Sequence, residues 1–307
     1  MTLSSLGPKT NFPKFGSIAV LGRTNAGKSS LINAFVGEKV SIVSNHPQTT
    51  RRKTLGILTR ASVQIAFCDT PGFHPKRNKL DGRMEEEILE SLEGVDGALY
   101  LIDASDPNSK EDANFLSSVQ CLRKIPLSFV FNKIDLLEEN QLSKIKEHYK
   151  GKEFSCANFF VSVTEKRGLG EVLNHIIKWL PFGDFGYDPD IFTSSSEREI
   201  VEEIIREGIL NQCYHEVPHS VAVVVSDFVE RENGKTWIRA EIYLERESQK
   251  KILIGSSGSM IKQLGTNARK QLNHLLGRDI FLELWVKVRL KWRNQENWIS
   301  RLVFKKP

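Results

Sequence analysis

The chain has 307 residues, 43 Lys and Arg against 38 Asp and Glu for a net charge of +5, and 40% hydrophobic residues. That is long enough for two domains that each bury a core, and the composition is that of an ordinary soluble protein. No apolar run reaches 18 residues, which excludes a membrane-spanning helix on sequence grounds, and residues 1–14 are Ser/Thr/Pro/Lys-rich without the apolar stretch of a secretory signal.

The charge is placed unevenly. From Lys250 onward thirteen Lys and Arg face only Asp279, Glu283 and Glu296, so the last segment is strongly basic and the remainder is net acidic. Such asymmetry points to a polyanionic partner, either nucleic acid or an anionic membrane face. Cys68, Cys121, Cys156 and Cys213 are scattered without metal spacing and are expected to be reduced and mostly buried.

After the short tail, Phe15–Leu21 reads as a buried strand and Lys28–Phe35 as a helix. Between them, Gly22-Arg23-Thr24-Asn25-Ala26-Gly27-Lys28-Ser29 fits G-x-x-x-x-G-K-[ST], with Ser30 following. Glycines let the backbone close around a diphosphate so that successive N–H groups face it; Lys28 then reaches the terminal phosphates and Ser29 offers a hydroxyl to Mg²⁺. A polar stretch, 37–53, precedes two strand-like runs, Thr54–Thr59 and Val63–Cys68. The second ends in Asp69-Thr70-Pro71-Gly72, where a strand-end carboxylate would hold a metal-bound water and the Gly72 amide would bind a γ-phosphate.

A further buried strand, Gly97–Asp103, and then Leu127–Phe131 follow, the latter ending in Asn132-Lys133-Ile134-Asp135. The Asp135 carboxylate can accept from both N1–H and the 2-amino group of guanine. Adenine offers neither donor, so the expected substrate is GTP rather than ATP. Phe159–Thr164 brings the backbone of Ser162, Val163 and Thr164 toward the guanine O6. Apolar strands alternate with amphipathic helices such as Glu111–Cys121 and Leu169–Leu180, the pattern of a doubly wound, mostly parallel α/β sheet with ligands at the strand C-termini.

In this order the motifs resemble the TRAFAC GTPases over about residues 15–180. Asn25–Ser30, Gln48-Thr49-Thr50-Arg51 and Asp69–Phe73 resemble the Era/TrmE branch. The resemblance implies that Thr50, with Thr49 as the alternative, is a Mg²⁺-binding switch threonine. It also implies that Asn25 helps hold a K⁺ ion near the β- and γ-phosphates. Where many GTPases carry a water-orienting glutamine after D-x-x-G, this chain has Phe73, so a slow, K⁺-stimulated GTPase is expected, with Asn25, Lys28, Thr50 and Gly72 as its catalytic set. Ser162-Val163 departs from the family's usual Ser-Ala.

A Gly/Pro/Asp-rich stretch marks a boundary, giving a tail 1–14, a GTP-binding domain 15–181, a linker 182–196 and a second domain 197–307. Ser196 and Glu199 form a capping box for a helix with Ile200, Val201, Ile204, Ile205 and Ile209 on one stripe. Strands follow over Val221–Phe228 and around Ile238–Leu244, then two helices separated by Gly255-Ser256-Ser257-Gly258, then a last strand alternating from Ile280 to Lys291. The order helix, strand, strand, helix, helix, strand and the G-x-x-G turn resemble a type II KH domain, a smaller α+β module that seats about four unstacked nucleotides. Ile254, Gly255, Ser256, Ser257, Gly258 and Ile261 would form the clamp, with Lys250, Lys251, Lys262, Arg269 and Lys270 attracting the phosphates. His215-Glu216-Val217-Pro218-His219 matches H-E-x-x-H, but Pro218 interrupts the helix that zinc chemistry requires. Trp285, Trp292 and Trp298 could stack bases, but are expected rather to pack the final strand and tail.

Both halves together resemble the Era family of GTPases. The resemblance implies a monomeric cytoplasmic factor that uses GTP, GDP and Mg²⁺, and K⁺ through Asn25. Its expected partners are 16S rRNA near the 3′ end and the 30S small subunit during assembly, with no DNA partner. The alternative is a peripheral GTPase resting on an anionic membrane surface.

Overall fold

The computed structural model describes residues 12–44, 46, 49–107, 109–118, 124–149, 157–213, 217–231 and 234–305. The first part runs β1 (Lys14–Leu21), α1 (Lys28–Val36), β2 (Thr54–Arg60), β3 (Val63–Asp69), α2 (Lys79–Glu90), β4 (Gly97–Asp103), α3 (Lys110–Ser118), β5 (Leu127–Asn132), α4 (Glu139–His148), β6 (Asn158–Phe160) and α5 (Leu169–Ile176). Its sheet has the order β2-β3-β1-β4-β5-β6, with β2 antiparallel to β3 and every other pairing parallel. Alternate residues of β1 enter two different cores. Ile18 and Val20 pack with Leu31, Ile32 and Phe35 of α1 and Leu173 of α5, whereas Ala19 and Leu21 pack with Ile88 of α2 and Phe115 of α3. Coverage on both faces explains why β3 and β5 are buried along their whole length and read as continuous apolar runs.

The stretch read as a linker is bonded along this sheet: Gly183 donates to the Pro13 carbonyl (3.0 Å), Tyr187 to Gln64 (2.9 Å) and Thr193 to the Leu55 carbonyl (3.0 Å). Two compact units result, one comprising the chain through Ser41, Thr50–Pro75 and Met84–Ser194, the other Ile42–Thr49, Lys76–Arg83 and Ser195 onward.

The second unit contains α6 (Glu197–Gln212), α7 (Val217–Ser220), β7 (Ala222–Glu230), β8 (Thr236–Leu244), α8 (Glu247–Ile254), α9 (Ser259–Leu276), β9 (Ile280–Val288) and α10 (Glu296–Ile299). The Ser196 backbone donates to the Glu199 carboxylate at 2.8 Å and its hydroxyl accepts from the Glu199 N–H, closing the expected capping box. Strand order is β7-β8-β9, with β8 and β9 parallel and β7 antiparallel to β8. Ile238, Ala240, Ile242 and Leu244 of β8 are fully buried against α6 and α9 residues, as their alternation requires.

Several sequence expectations need correction. β1 already begins at Lys14, inside the expected tail, whose residues 1–11 lie outside those described. α5 ends at Ile176, short of Leu180, and β9 ends at Val288, leaving Leu290 69% exposed. Trp292 is buried and donates from its indole to the Ser220 carbonyl at 2.8 Å, whereas Trp285 is 54% exposed rather than packed. Pro218 sits in the first turn of the short α7, where no N–H is needed; Gln48, His215, Glu216, Cys121 and Cys156 lie outside the described residues.

Burial pushes the Cys68 thiol up to about 12 and the Cys213 thiol up to about 11. Neither carries thiolate near neutrality, and both are closed to solvent. Iodoacetamide at pH 8 should therefore leave both unlabelled in the native protein and label both in guanidinium; a native-state label at either, seen by peptide mapping, would contradict this burial.

Candidate functional site

The loop after β1 is held by its neighbours. Gly27 has φ 99°, and a Cβ there would lie 2.3 Å from the Asn132 amide nitrogen, so glycine is required on both counts. The Asn132 amide donates to the Ala26 carbonyl (2.9 Å) while its oxygen accepts from the Val163 N–H (3.2 Å), tying loop, β5 end and 162–164 segment together. Asn25 is exposed at the loop tip in the left-handed region. Lys28 is 6% exposed and donates to the carbonyls of Gly22 and Arg23, both at 3.0 Å. Burial pulls its ammonium down from the usual 10.5 to about 8, against the opposing pull of Asp69.

Three oxygens meet beside the loop. Ser29 Oγ lies 2.7 Å from Asp69 Oδ2 and 3.0 Å from Thr50 Oγ1, and Thr50 Oγ1 lies 3.4 Å from the same carboxylate oxygen. Asp69 is fully buried, and burial raises its carboxyl pKa although bonds from Ser29 and the Lys28 charge oppose the rise. Its Oδ1 has no hydrogen-bond partner. A buried carboxylate with an open oxygen beside two hydroxyls is a hard-oxygen donor set, which suits Mg²⁺. Thr70 donates to the Val20 carbonyl at 2.8 Å, and Gly72 lies against the loop so closely that a Cβ would come within 2.7 Å of Thr24 Cα. Phe73 points into an apolar contact with Phe115, ring centroids 4.8 Å apart, and cannot orient water.

At the base end, Lys133 adopts φ 69° and pairs with Asp103 at 2.6 Å. Asp135 Oδ1 is buried without a partner, the state expected of a carboxylate that receives guanine donors. The structure thus brings the loop, Thr50, Asp69–Gly72 and Asn132–Asp135 to one edge of the sheet. The contribution of Arg23, which pairs with Asp106 and Asp112, was not legible from its place in the loop.

A family profile described as a 50S ribosome-binding GTPase matches residues 17–133, and a KH domain profile matches residues 216–293. GTPase Era of Lactobacillus helveticus is 41% identical over 295 residues, covering 95% of this chain and 97% of that protein. The chain belongs to the Era family of GTPases. Era of Carboxydothermus hydrogenoformans is 40% identical, with 95% and 98% covered. Among solved structures, Era in complex with MgGDPNP and nucleotides 1506–1542 of 16S ribosomal RNA superposes with a TM-score of 0.88 at 32% identity, covering 95% of this chain and 99% of that one; a single-substitution variant of Aquifex aeolicus Era bound to GDP·AlF4⁻ gives the same values. As a family member the chain hydrolyses GTP, and its fold is a P-loop GTPase sheet followed by a KH domain.

In the KH unit the turn takes positive φ at three positions: Gly255 has φ 75°, Ser257 φ 50° and Gly258 φ 78°. A cleft of about 430 Å³ lies beside α9, walled by Ile261, Gly265, Leu282 and Leu284 and rimmed by Lys262, Thr266 and Arg269. Ile261, Lys262 and Arg269 were expected from sequence. Gly265, Leu282 and Leu284 were missed because the cleft forms only when β9 is laid beside α9. Lys250, Lys251, Ile254, Gly255, Ser256, Ser257, Gly258 and Lys270 lie outside its lining.

Two outcomes test the nucleotide site. Asp135→Asn should weaken GTP by roughly 3 kcal/mol, about a hundredfold, and bind xanthosine triphosphate instead; unchanged guanine preference in competition binding would refute the base assignment. Bound phosphates keep Lys28 charged, so GDP binding should take up a proton at pH 9 but not at pH 7, and affinity should fall as pH rises through about 8. Because the folded pKa lies below the usual one, the free protein itself gains stability between about pH 8 and 10.5. Calorimetry in buffers of different ionisation enthalpy reads the proton, and Lys28→Met should abolish it.

Proposed function

We propose that this GTPase is a switch that holds unpaired rRNA near the 3′ end of 16S and assists assembly of the 30S subunit in the cytoplasm. The observation that carries this reading is the apolar cleft with a cationic rim beside a G-x-x-G turn, in the same chain as the nucleotide site. Apolar walls take unstacked bases and the rim takes their phosphates. That chemistry favours RNA over an anionic lipid surface, which needs no base-sized slot. The related Era structure that contains nucleotides 1506–1542 of 16S rRNA supports the choice of RNA.

In the nucleotide site the loop amides and Lys28 cradle the phosphates, Ser29, Thr50 and Asp69 hold Mg²⁺, and the Gly72 N–H meets the γ-phosphate. Mg²⁺ held there would supply positive charge to offset that of the transferring phosphates. Asn25, exposed at the loop tip, holds K⁺ where an arginine finger would otherwise stand. The γ-phosphate orders residues 37–53 and 70–83. Ordering of those stretches couples nucleotide state to RNA affinity.

Lys262→Glu with Arg269→Glu should weaken binding of a single-stranded 16S 3′-end oligonucleotide at least about tenfold and flatten its salt dependence. Wild-type affinity should differ between GDP and a non-hydrolysable GTP analogue, and equal affinities would remove the coupling. GTPase rates should be higher in K⁺ than in Na⁺ for the wild type only; identical rates for wild type and Asn25→Ala in both salts would remove the K⁺ site.

A further inference from the structure

Helix α3 grips both sides of the phosphate end. Asp112, 4% exposed, accepts from the Tyr100 hydroxyl at 2.7 Å and forms an ion pair with Arg23, Oδ2 to Nε 3.1 Å. One turn further, Phe115 packs against Phe73 and stacks on Tyr100, centroids 5.7 Å apart. Arg23 and Phe73 are themselves joined by a parallel bridge, in which the Phe73 N–H donates to the Gly22 carbonyl at 3.3 Å. The connections close a ring: loop residue Arg23, Asp112, Tyr100, Phe115, Phe73 and back to the loop. Gly72 is the residue before Phe73, and its backbone is pressed on Thr24.

Arg23 has a second anionic partner, Asp106, at 2.7 Å. The Asp106 side chain is 60% exposed, so its charge is screened, while Arg23 Nη2 also donates to the Asp106 carbonyl at 3.1 Å, a bond that a side-chain change leaves in place. Asp112 is removed from water, and removing its charge leaves the half-buried guanidinium without its shielded partner. The Lys28 ammonium donates to the Arg23 carbonyl and to the Gly22 carbonyl, which it shares with the Phe73 N–H.

We propose that Asp112 is a positioning residue for GTP hydrolysis: by holding Arg23 while Phe115 holds Phe73, α3 fixes the register between the phosphate loop and Asp69–Gly72, and so the place of the Gly72 amide. Phe73 then has a role that glutamine could not fill, as the apolar foot of that segment. GDP, which lacks the γ-phosphate, does not use the register.

The test is kinetic. Asp112→Asn retains the shape and the Tyr100 contact but removes the charge. It should lower kcat about tenfold while the GDP Kd stays within about twofold of wild type. Phe115→Leu should do the same, and the double variant should be no slower than the slower single, since both break one clamp. Asp106→Asn should leave kcat within about twofold. Retained GDP affinity certifies that each variant is folded, and Phe115→Leu alone gives the same reading should Asp112→Asn not fold. An unchanged kcat, parallel losses of kcat and GDP affinity, or multiplicative effects in the double variant would each overturn the proposal.

Discussion

The site depends on the position of β1 between β3 and β4. Parallel pairing sets Val20 opposite Asp69 on one side and Leu21 opposite Tyr100 on the other. The chain leaving β1 at Gly22 therefore emerges between the metal-side carboxylate of β3 and, through Tyr100, the α3 network behind β4. Because neighbouring strands end at the same edge, segments separated by scores of residues deliver their polar ends to one place, while their apolar bodies disappear into the two cores.

Ionised groups at that edge are held largely out of water. Lys28, Asp69 and Asp112 are all buried, and burial alone opposes their charges. Each is partly compensated by a neighbour, Ser29 for Asp69 and Tyr100 for Asp112. The compensation is incomplete at three oxygens: Asp69 Oδ1 and Asp135 Oδ1, where the proposed metal and base would bind, and Asp112 Oδ2, which has the Arg23 charge beside it but no hydrogen bond. A protein that satisfied the first two internally would gain stability and lose its substrate.

The KH unit uses a different principle. Its cleft is apolar space flanked by cations, created by laying α9 beside β9, and the G-x-x-G turn with its positive-φ residues lies just before α9 in the chain. Exposed aromatic residues elsewhere on the unit are partly satisfied by cations. The Arg239 guanidinium lies over both Trp237 and Trp285, and it also pairs with Glu283 at 3.3 Å, which accounts for a large indole remaining at the surface.

The sequence by itself determined the contiguous chemistry: the phosphate loop, Asp69–Gly72, Asn132–Asp135, the capping box at Ser196 and the alternation that builds β8, because each is a local pattern whose spacing is set by backbone geometry. The family, too, was legible from those motifs in order. Tertiary structure alone decided what depends on side chains meeting across the sheet. Arg23 proved to be ion-paired with Asp112 and Phe73 packed on Phe115, and the cleft beside α9 gained Leu282 and Leu284 from a strand far from the G-x-x-G turn in sequence. It also decided that β9 stops at Val288 and that residues 182–194 lie bonded to the first sheet, since strand ends and connections are fixed by which partners remain to be hydrogen-bonded, and a linear pattern carries no record of partners.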